Sequence, residues 1–218
     1  MSQLFGPSLL LTAFLAWGCT APTSTLVAEE RPAPLPPLDT AKERGRVSVV
    51  DGQLVTDRGS PLRGLTLAVD FDWTLDDFEL MTTIAKTTGL NTIHVYLENW
   101  QSTPGEKQLM ADALVSLTAQ SGLYLILGIG GGMRVGNRGG NGHFEQAKIT
   151  EFWSRYAPRY AAHTHVLYEI QNNPEVTCDD DVQPETVTME RDAYKQIRAL
   201  APDTHIVLFS TSSVPRLS

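Results

Sequence analysis

The chain has 218 residues, which is long enough for one domain with a sizeable hydrophobic core. Its 25 acidic and 17 basic side chains give a net charge of −8, and the sequence contains no run of lysine and arginine. These numbers exclude a general nucleic-acid-binding protein, because contacts to phosphate groups need clustered basic side chains.

Residues 1–19 have the pattern of a secretory signal. The apolar run at residues 8–18 is too short for a membrane-spanning helix. Its end, LAWGC, resembles the lipobox of bacterial lipoproteins, in which Cys19 is lipidated after cleavage; an ordinary signal peptide with an incidental cysteine is the alternative. A lipidated Cys19 would leave Cys178 without an intramolecular partner. We therefore expect export, either as an outer-membrane or cell-surface lipoprotein or as a secreted protein.

A change of composition separates this segment from the folded domain. Residues 20–45 are rich in Pro, Thr, Ala and Glu and predict a disordered tether, and residues 46–218 form the domain. The domain is expected to begin with a β-hairpin, because Asp51-Gly52 is a hairpin turn signal and a second turn follows at residues 58–61.

From Arg63 onward, short apolar segments alternate with amphipathic ones. Strands are predicted at residues 63–69, 91–97, 123–129, 165–171 and 205–210, and helices at residues 74–89, 104–122, 144–162 and 184–201. Thr74 and Asp77 form a capping-box pattern at the start of the first helix. Gly122 predicts the end of the second helix, and Pro158 predicts a kink or break in the third.

This alternation predicts a parallel sheet with right-handed crossovers. An open doubly wound sheet and part of a (β/α)8 barrel both fit the pattern. In both architectures, functional side chains collect at the carboxyl ends of the strands. The residues at those ends are Asp70, Asp72, Glu98, Asn99, Trp100, Asn172, Asn173, Glu175, Ser210 and Thr211.

Three other kinds of site fail on spacing. The glycine-rich loop at residues 128–142 lacks the G-x-G-x-x-G spacing of a dinucleotide site. The CDDD segment at residues 178–181 lacks the spaced ligands of a calcium loop, and the five histidines form no zinc motif. We therefore expect no metal site and no cofactor.

Several side chains near the strand ends allow two interpretations. Trp73 and Trp100 could stack on a sugar ring or pack under a loop, and His143 could contact a ligand or face solvent in its glycine-rich loop. Glu169 lies inside the fourth predicted strand, where a carboxylate needs a partner, and is interpreted as structural.

Taken together, these motifs resemble glycoside hydrolase family 5, the cellulase and mannanase group, from about Val47 onward. LVTDRGSPLRGL is similar to the hairpin and first strand of that family, and GLNTIHVYL is similar to its second strand, where members commonly carry arginine in place of His94. The most specific segment is YEIQNNPEV. The family pattern Tyr-Glu-Ile-x-Asn-Glu-Pro is matched there by Tyr168, Glu169, Ile170, Asn172 and Pro174.

The resemblance implies an α/β fold that is a partial (β/α)8, TIM-barrel-like structure, with about five βα units after an N-terminal β-hairpin. It also implies a β-linked oligosaccharide or polysaccharide as the ligand, with Asn172 bonded to the sugar 2-hydroxyl. The candidate substrate-binding residues are Asn172, His94, Glu98, Trp73, Trp100 and His143.

Two departures from the family pattern bear on catalysis. The family retains anomeric configuration, which requires a proton-donating acid and a second carboxylate that attacks the sugar. Asn173 stands where the family places the acid/base glutamate, and an amide cannot take that role. Glu175 is a candidate substitute, although Pro174 lies between the two positions. The family nucleophile is a glutamate on the seventh strand, whereas this sequence predicts five strands.

We therefore expect a family 5-like domain with little or no hydrolytic activity. The alternatives are a carbohydrate-binding surface lipoprotein without catalysis and a truncated gene fragment. No nucleic-acid partner is expected, and a membrane is contacted only through a lipid on Cys19. Five strands of a barrel leave two open sheet edges, which could support self-association.

Overall fold

A computed structural model describes residues 38, 42–67, 74–98, 102–130, 146–172, 176–177, 184–208 and 212–213. All of these residues lie within the unit Pro37–Ser218. The predicted signal segment, with Cys19, and most of the predicted tether lie outside the described residues. Among the helices that are described, none is long and apolar enough to cross a membrane.

The predicted hairpin is confirmed. Strand β1 (Ser48–Val50) pairs antiparallel with β2 (Gln53–Val55), and Val50 lies opposite Gln53. The two residues of the turn, Asp51 and Gly52, have φ angles of 49° and 76°. Both angles lie in the left-handed region, which glycine and aspartate tolerate better than most residues, and this explains why the Asp-Gly pair is a reliable turn signal.

The central element is a five-stranded parallel sheet whose spatial order follows the chain. Its strands are β3 (Gly64–Leu67), β4 (Thr92–Tyr96), β5 (Tyr124–Gly128), β6 (Val166–Glu169) and β8 (Ile206–Val207). A doubly wound sheet reverses its strand order at a switch point, whereas a barrel does not. The unbroken order therefore decides between the two predicted architectures in favour of a partial barrel, and the described strands do not close into a ring. A further short pair joins β7 (Val176–Thr177) to β9 (Ser212–Ser213), also in parallel.

A helix follows each of the first four strands of this sheet. The helices are α1 (Leu75–Thr87), α2 (Gln108–Ser121), α3 (Gln146–Tyr160) and α4 (Pro184–Leu200). At the start of α1, the Asp77 carboxylate accepts hydrogen bonds from the backbone and hydroxyl of Thr74, both at 2.8 Å, so the predicted capping interaction is confirmed. At the end of α2, Gly122 has a φ of 68°, as its predicted role as a helix stop requires.

Helices α2 and α3 each differ from the sequence-based prediction, α2 in its first residue and α3 in its continuity. Helix α2 begins at Gln108, because Gly105 has a φ of 82° and its N–H donates to the Glu98 carboxylate at 2.9 Å. Helix α3 continues through Pro158 instead of breaking there. Pro158 lies two residues before the helix ends and is exposed to solvent. Because proline has no N–H, the Ser154 carbonyl loses its partner within the helix, and Ser154 is also exposed to solvent.

The core lies between the sheet and the four helices. Helix α3 contributes several of the largest side chains of the core. Among them, Trp153 is fully buried, and its indole N–H donates to the Ile170 carbonyl at 3.0 Å. Helices α2 and α3 are joined by a buried carboxylate. The two oxygens of Asp112 each accept a bond of 2.6 Å from Arg159, and one of them also accepts a bond of 2.8 Å from the Tyr160 hydroxyl.

Strands β3 and β8 are the two edge strands of the sheet, and no other described strand pairs with their outer sides. The helices beside these edges expose apolar side chains. Leu80 and Ile84 on α1 are 60% and 42% exposed, and Val187 and Tyr194 on α4 are 54% and 38% exposed. In a closed (β/α)8 barrel every helix has a neighbour on each side. Among the described helices, α1 packs against α2 and α4 packs against α3.

The last residues of the predicted tether contact the domain at the amino end of its sheet, next to the start of β6. The Glu43 carboxylate accepts hydrogen bonds from the backbone N–H and the hydroxyl of Thr164, the latter at 2.9 Å, and from the backbone N–H of His165 at 3.3 Å. Arg44 pairs with Asp57 and donates to the Gly122 carbonyl at 3.2 Å. The domain therefore begins a few residues before the hairpin, where composition alone gave no signal of order.

The contacts made by Glu43, Asp57 and His165 make the stability of the domain sensitive to acid. Burial alone would raise the pKa of the Glu43 carboxyl, but hydrogen bonds from Thr164 and His165 outweigh it and lower that pKa from its ordinary 4.5. The bond from Arg44 lowers the pKa of Asp57 to about 2, and burial lowers the pKa of His165 from 6.5. All three groups bind protons less readily when folded than when unfolded, so acid favours the unfolded state.

We predict that the free energy of unfolding, measured by urea denaturation, falls as the pH is lowered from 7 to 3. The loss from His165 begins near its unfolded pKa of 6.5, and the losses from Glu43 and Asp57 begin near 4.5 and 3.8. Glu43→Gln should be less stable at pH 7 and should lose less stability than the unsubstituted chain on acidification. Stability that is constant or rising from pH 7 to pH 3 would contradict this account.

Candidate functional site

Polar side chains from three neighbouring strands meet at the carboxyl end of the sheet. Tyr96 ends β4 and lies opposite Gly128, which ends β5 and lies opposite Glu169 at the end of β6. The chain beyond β6 remains close to this edge, because the Asn172 N–H donates to the Ile129 carbonyl at 3.0 Å. Parallel pairing thus brings together residues that are about 75 positions apart in the sequence.

His94 and Glu169 form the innermost pair of this cluster. The His94 Nε2 atom lies 2.5 Å from a Glu169 carboxylate oxygen, and the two side chains are 18% and 4% exposed. An ionised carboxylate only accepts hydrogen bonds, so a charged Glu169 requires the proton of this contact on Nε2. The other ring nitrogen, Nδ1, lies 3.3 Å from the Thr66 hydroxyl. His94 is therefore held on both sides, and Glu169 has the buried partner that its position in a strand requires.

Gly128 makes room for this pair. A Cβ atom at that position would lie 3.1 Å from both the backbone oxygen and a carboxylate oxygen of Glu169. These contacts are tight, so a side chain there would displace the Glu169 carboxylate. The close packing of Glu169 supplies a physical reason for the glycine at this strand end.

The Asn172 side chain is held in one orientation by a neighbouring tyrosine. The Tyr96 hydroxyl donates to the Asn172 side-chain oxygen at 2.9 Å. Burial, together with the nearby negative charge of Glu169, raises the pKa of Tyr96 well above its ordinary value, so this hydroxyl stays protonated and remains a donor. Because the amide oxygen is used within the protein, the Nδ2 group is the part of Asn172 that can donate to a bound molecule. Asn172 is partly exposed.

Glu98 follows β4 but is turned towards the interior. It is 3% exposed, and its carboxylate accepts hydrogen bonds from the Tyr156 hydroxyl and from the Gly105 N–H. Burial raises its pKa. Its backbone carbonyl also accepts a bond of 2.6 Å from the Gly130 N–H. This geometry favours a role in holding the loop before α2 and the end of β5, and substrate binding by Glu98 stays a prediction.

The other candidate site residues lie outside the described residues. They are Trp73, Trp100, His143, Asn173 and Glu175. Their roles therefore stay predictions from the sequence. Within the described ranges, no three His, Cys, Asp or Glu side chains are grouped closely enough to hold a metal ion.

Sequence reasoning missed the role of two tyrosines in this region. Tyr96 lies two residues after His94 in β4, and the alternation of a strand therefore puts both on one face. Their rings are 4.6 Å apart in an edge-on arrangement. That spacing was a usable signal for Tyr96. Tyr156 is distant from Glu98 in the sequence, so no local pattern could have linked the two.

Comparison with solved structures identifies the architecture. The catalytic domain of the endoglucanase Cel5A from Thermobifida fusca, crystallised in complex with cellotetraose, is 22% identical with a TM-score of 0.59; the match covers 78% of this chain and 55% of that one. A β-glucanase from Saccharophagus degradans is 21% identical with a TM-score of 0.61, covering 85% and 60% of the two chains. This chain thus spans a little over half the length of these (β/α)8-barrel neighbours.

Sequence comparisons give the family. No curated protein sequence matches the chain. The family model described as cellulase, glycosyl hydrolase family 5, matches residues 58–213, which include the whole parallel sheet and all four helices. This match covers well over half of the 218 residues, and the chain belongs to glycosyl hydrolase family 5.

Proposed function

We propose that this chain binds a β-linked oligosaccharide at the carboxyl ends of its strands and hydrolyses it weakly or not at all. The ligand class is supported by the solved structures it resembles, which include an endoglucanase in complex with cellotetraose and a β-glucanase. These likenesses show the fold, and the choice of ligand and the low activity are inferences from the residues of this chain.

The observation that carries the proposal is the orientation of Asn172. Its amide oxygen accepts from Tyr96 and its backbone N–H donates to Ile129, so both the side chain and the backbone are fixed before a ligand arrives. A fixed donor loses little conformational entropy when it binds a hydroxyl group. The family resemblance assigns Asn172 to the sugar 2-hydroxyl, and its Nδ2 group, for which no bond to another described residue is found, has the donor character that this contact needs.

Weak hydrolysis follows first from Asn173, a neutral amide at the position of the family acid/base glutamate. Losing general acid catalysis costs about 10²–10⁴-fold in rate. Deamidation does not easily restore the acid, because Pro174 has no backbone N–H with which to close the cyclic imide.

The described carboxylates at this end of the sheet do not supply a nucleophile either. A retaining reaction needs two carboxyl groups about 5 Å apart on either side of the bond that is cleaved. Glu169 is 3% exposed and bonded to His94, and Glu98 is 3% exposed and bonded to Tyr156. Both carboxylates are therefore buried and hydrogen-bonded, so neither is placed to attack a sugar ring bound at Asn172.

We predict that cello- or manno-oligosaccharides bind the domain in calorimetric titrations and that Asn172→Ala weakens binding about fivefold, since one hydrogen bond to a neutral group is worth roughly 1 kcal/mol. Tyr96→Phe should weaken binding several-fold, because it leaves the Asn172 amide free to rotate. Tyr194→Phe removes a hydroxyl of the exposed face of α4 and serves as the matched control. Absence of binding to both sugar series would overturn the proposal, and a non-cooperative thermal melt of the same sample would then favour the fragment alternative.

We predict that the chain gives no turnover above the enzyme-free blank on aryl β-glucosides or β-mannans. Asn173→Glu should raise turnover by less than about tenfold, because the acid alone does not complete a retaining pair. Asn173→Gln controls for side-chain length. Robust hydrolysis with retention of configuration by the unsubstituted chain would refute weak activity, and a gain of about 100-fold or more in Asn173→Glu would show that a nucleophile is present.

We also propose, from the LAWGC pattern, that the chain is exported and carries a lipid on Cys19. In a bacterial host, the full chain should fractionate with membranes and dissolve in detergent, and Cys19→Ala should move it to the aqueous fraction. Cys178→Ala, the other cysteine of the chain, should leave the fractionation unchanged. Membrane association that survives Cys19→Ala would contradict lipidation. Self-association through the open edges of β3 and β8 stays a prediction that sedimentation of the same samples can test.

A further inference from the structure

A polar cavity lies at the opposite end of the sheet from Asn172. It opens between the amino ends of β6 and β8 and the segment that precedes the hairpin, and its volume is about 120 Å³. That volume is well below the roughly 300–1,000 Å³ of a pocket for a drug-sized ligand. Its lining includes Arg46, Thr164, Arg198, Asp203, Thr204 and His205.

Arg46 and Arg198 line this cavity, and neither guanidinium contacts a carboxylate of the residues that the structure describes. Arg198 is held by the Pro202 and Thr204 carbonyls at 3.0 and 2.6 Å, and Arg46 donates to the Ala161 carbonyl at 3.0 Å. None of the ion pairs formed among the described residues includes either arginine. Their hydrogen bonds to neutral carbonyls fix their positions and leave their positive charges uncompensated at contact distance.

The remaining polar lining is consistent with a site for a negative group. The Thr204 side chain is fully buried, and its hydroxyl has no partner in hydrogen-bonding geometry. The Tyr168 phenol lies near that hydroxyl but donates its own proton to the Ala157 carbonyl at 2.9 Å. Burial, with a smaller contribution from the charge of Arg198, lowers the pKa of His205. Asp203 also lines the cavity, and it is exposed.

We propose that this cavity binds a tetrahedral oxyanion, a phosphate or sulfate group, between Arg46 and Arg198. Charged, planar donors in a fixed arrangement suit such groups, because each guanidinium can offer two parallel N–H bonds. The Thr204 hydroxyl, which the Tyr168 oxygen approaches without reaching hydrogen-bonding geometry, supplies a further donor. The group could arrive as the free ion or as an ester on a sugar, and the two sources share the same chemistry.

The experiment is calorimetric titration of the purified domain with inorganic phosphate, inorganic sulfate and glucose 6-phosphate at constant ionic strength. We expect saturable binding that Arg46→Gln weakens by about tenfold or more, since a charge-assisted bond to an anion is lost. Arg191→Gln is the matched control, because it removes one positive charge from an exposed position on α4 and should change affinity by less than about twofold. Equal binding of glucose 6-phosphate and phosphate identifies an ester-tolerant site, and binding of the inorganic ions alone identifies a site for the free ion.

Thr204→Val is a second variant that keeps the side-chain shape. It should weaken anion binding several-fold while leaving the thermal midpoint in the absence of anion unchanged or higher, because it removes a buried hydroxyl that lacks a partner. Absence of saturable binding to all three compounds would overturn the proposal, as would equal weakening by Arg46→Gln and Arg191→Gln. Either result would leave the glycan proposal untouched, because Asn172 lies at the other end of the sheet.

Discussion

The parallel pairing of β4, β5 and β6 is the constraint on which the rest of this molecule depends. It sets the register in which Tyr96, Gly128 and Glu169 lie side by side. The three strands are buried almost throughout, so a shift of register by one residue would turn core side chains towards the opposite face. Hydrophobic packing thereby fixes the polar cluster at the strand ends, although none of the polar contacts is strong enough to do so alone.

The polar groups of that cluster are arranged from the interior outwards. Glu169 is paired with His94 and lies close to Gly128, and its charge helps to keep the Tyr96 phenol protonated. Tyr96 in turn orients Asn172. A buried carboxylate is costly unless it is paired, and here its pairing also determines which atoms of the outermost amide are available to a ligand. The orientation of Asn172 therefore rests on Tyr96 and Glu169, and it does not require an acid at position 173, the predicted acid/base position.

The two ends of the sheet have different characters. The carboxyl end carries neutral and acidic side chains that suit a neutral sugar, whereas the amino end carries Arg46, Arg198 and a buried Thr204. The segment before the hairpin contributes to the amino end and is held there by Glu43 and Arg44. Its attachment links the stability of that end to the protonation of Glu43 and His165, while the candidate glycan site lies beyond the far end of the same strands.

The sequence by itself determined the type and order of nearly every element, because hydrophobic periodicity and the turn signals at Asp51-Gly52, Thr74 and Gly122 are local properties. It also determined the family, and the YEIQNNPEV segment singled out Asn172 as a candidate binding residue. Tertiary structure decided what local pattern cannot contain. The choice between barrel and doubly wound sheet depended on strand order, and the start of α2 depended on a bond from Gly105 to Glu98. The pairing of His94 with Glu169 joins residues 75 positions apart, and only folding brings them into contact.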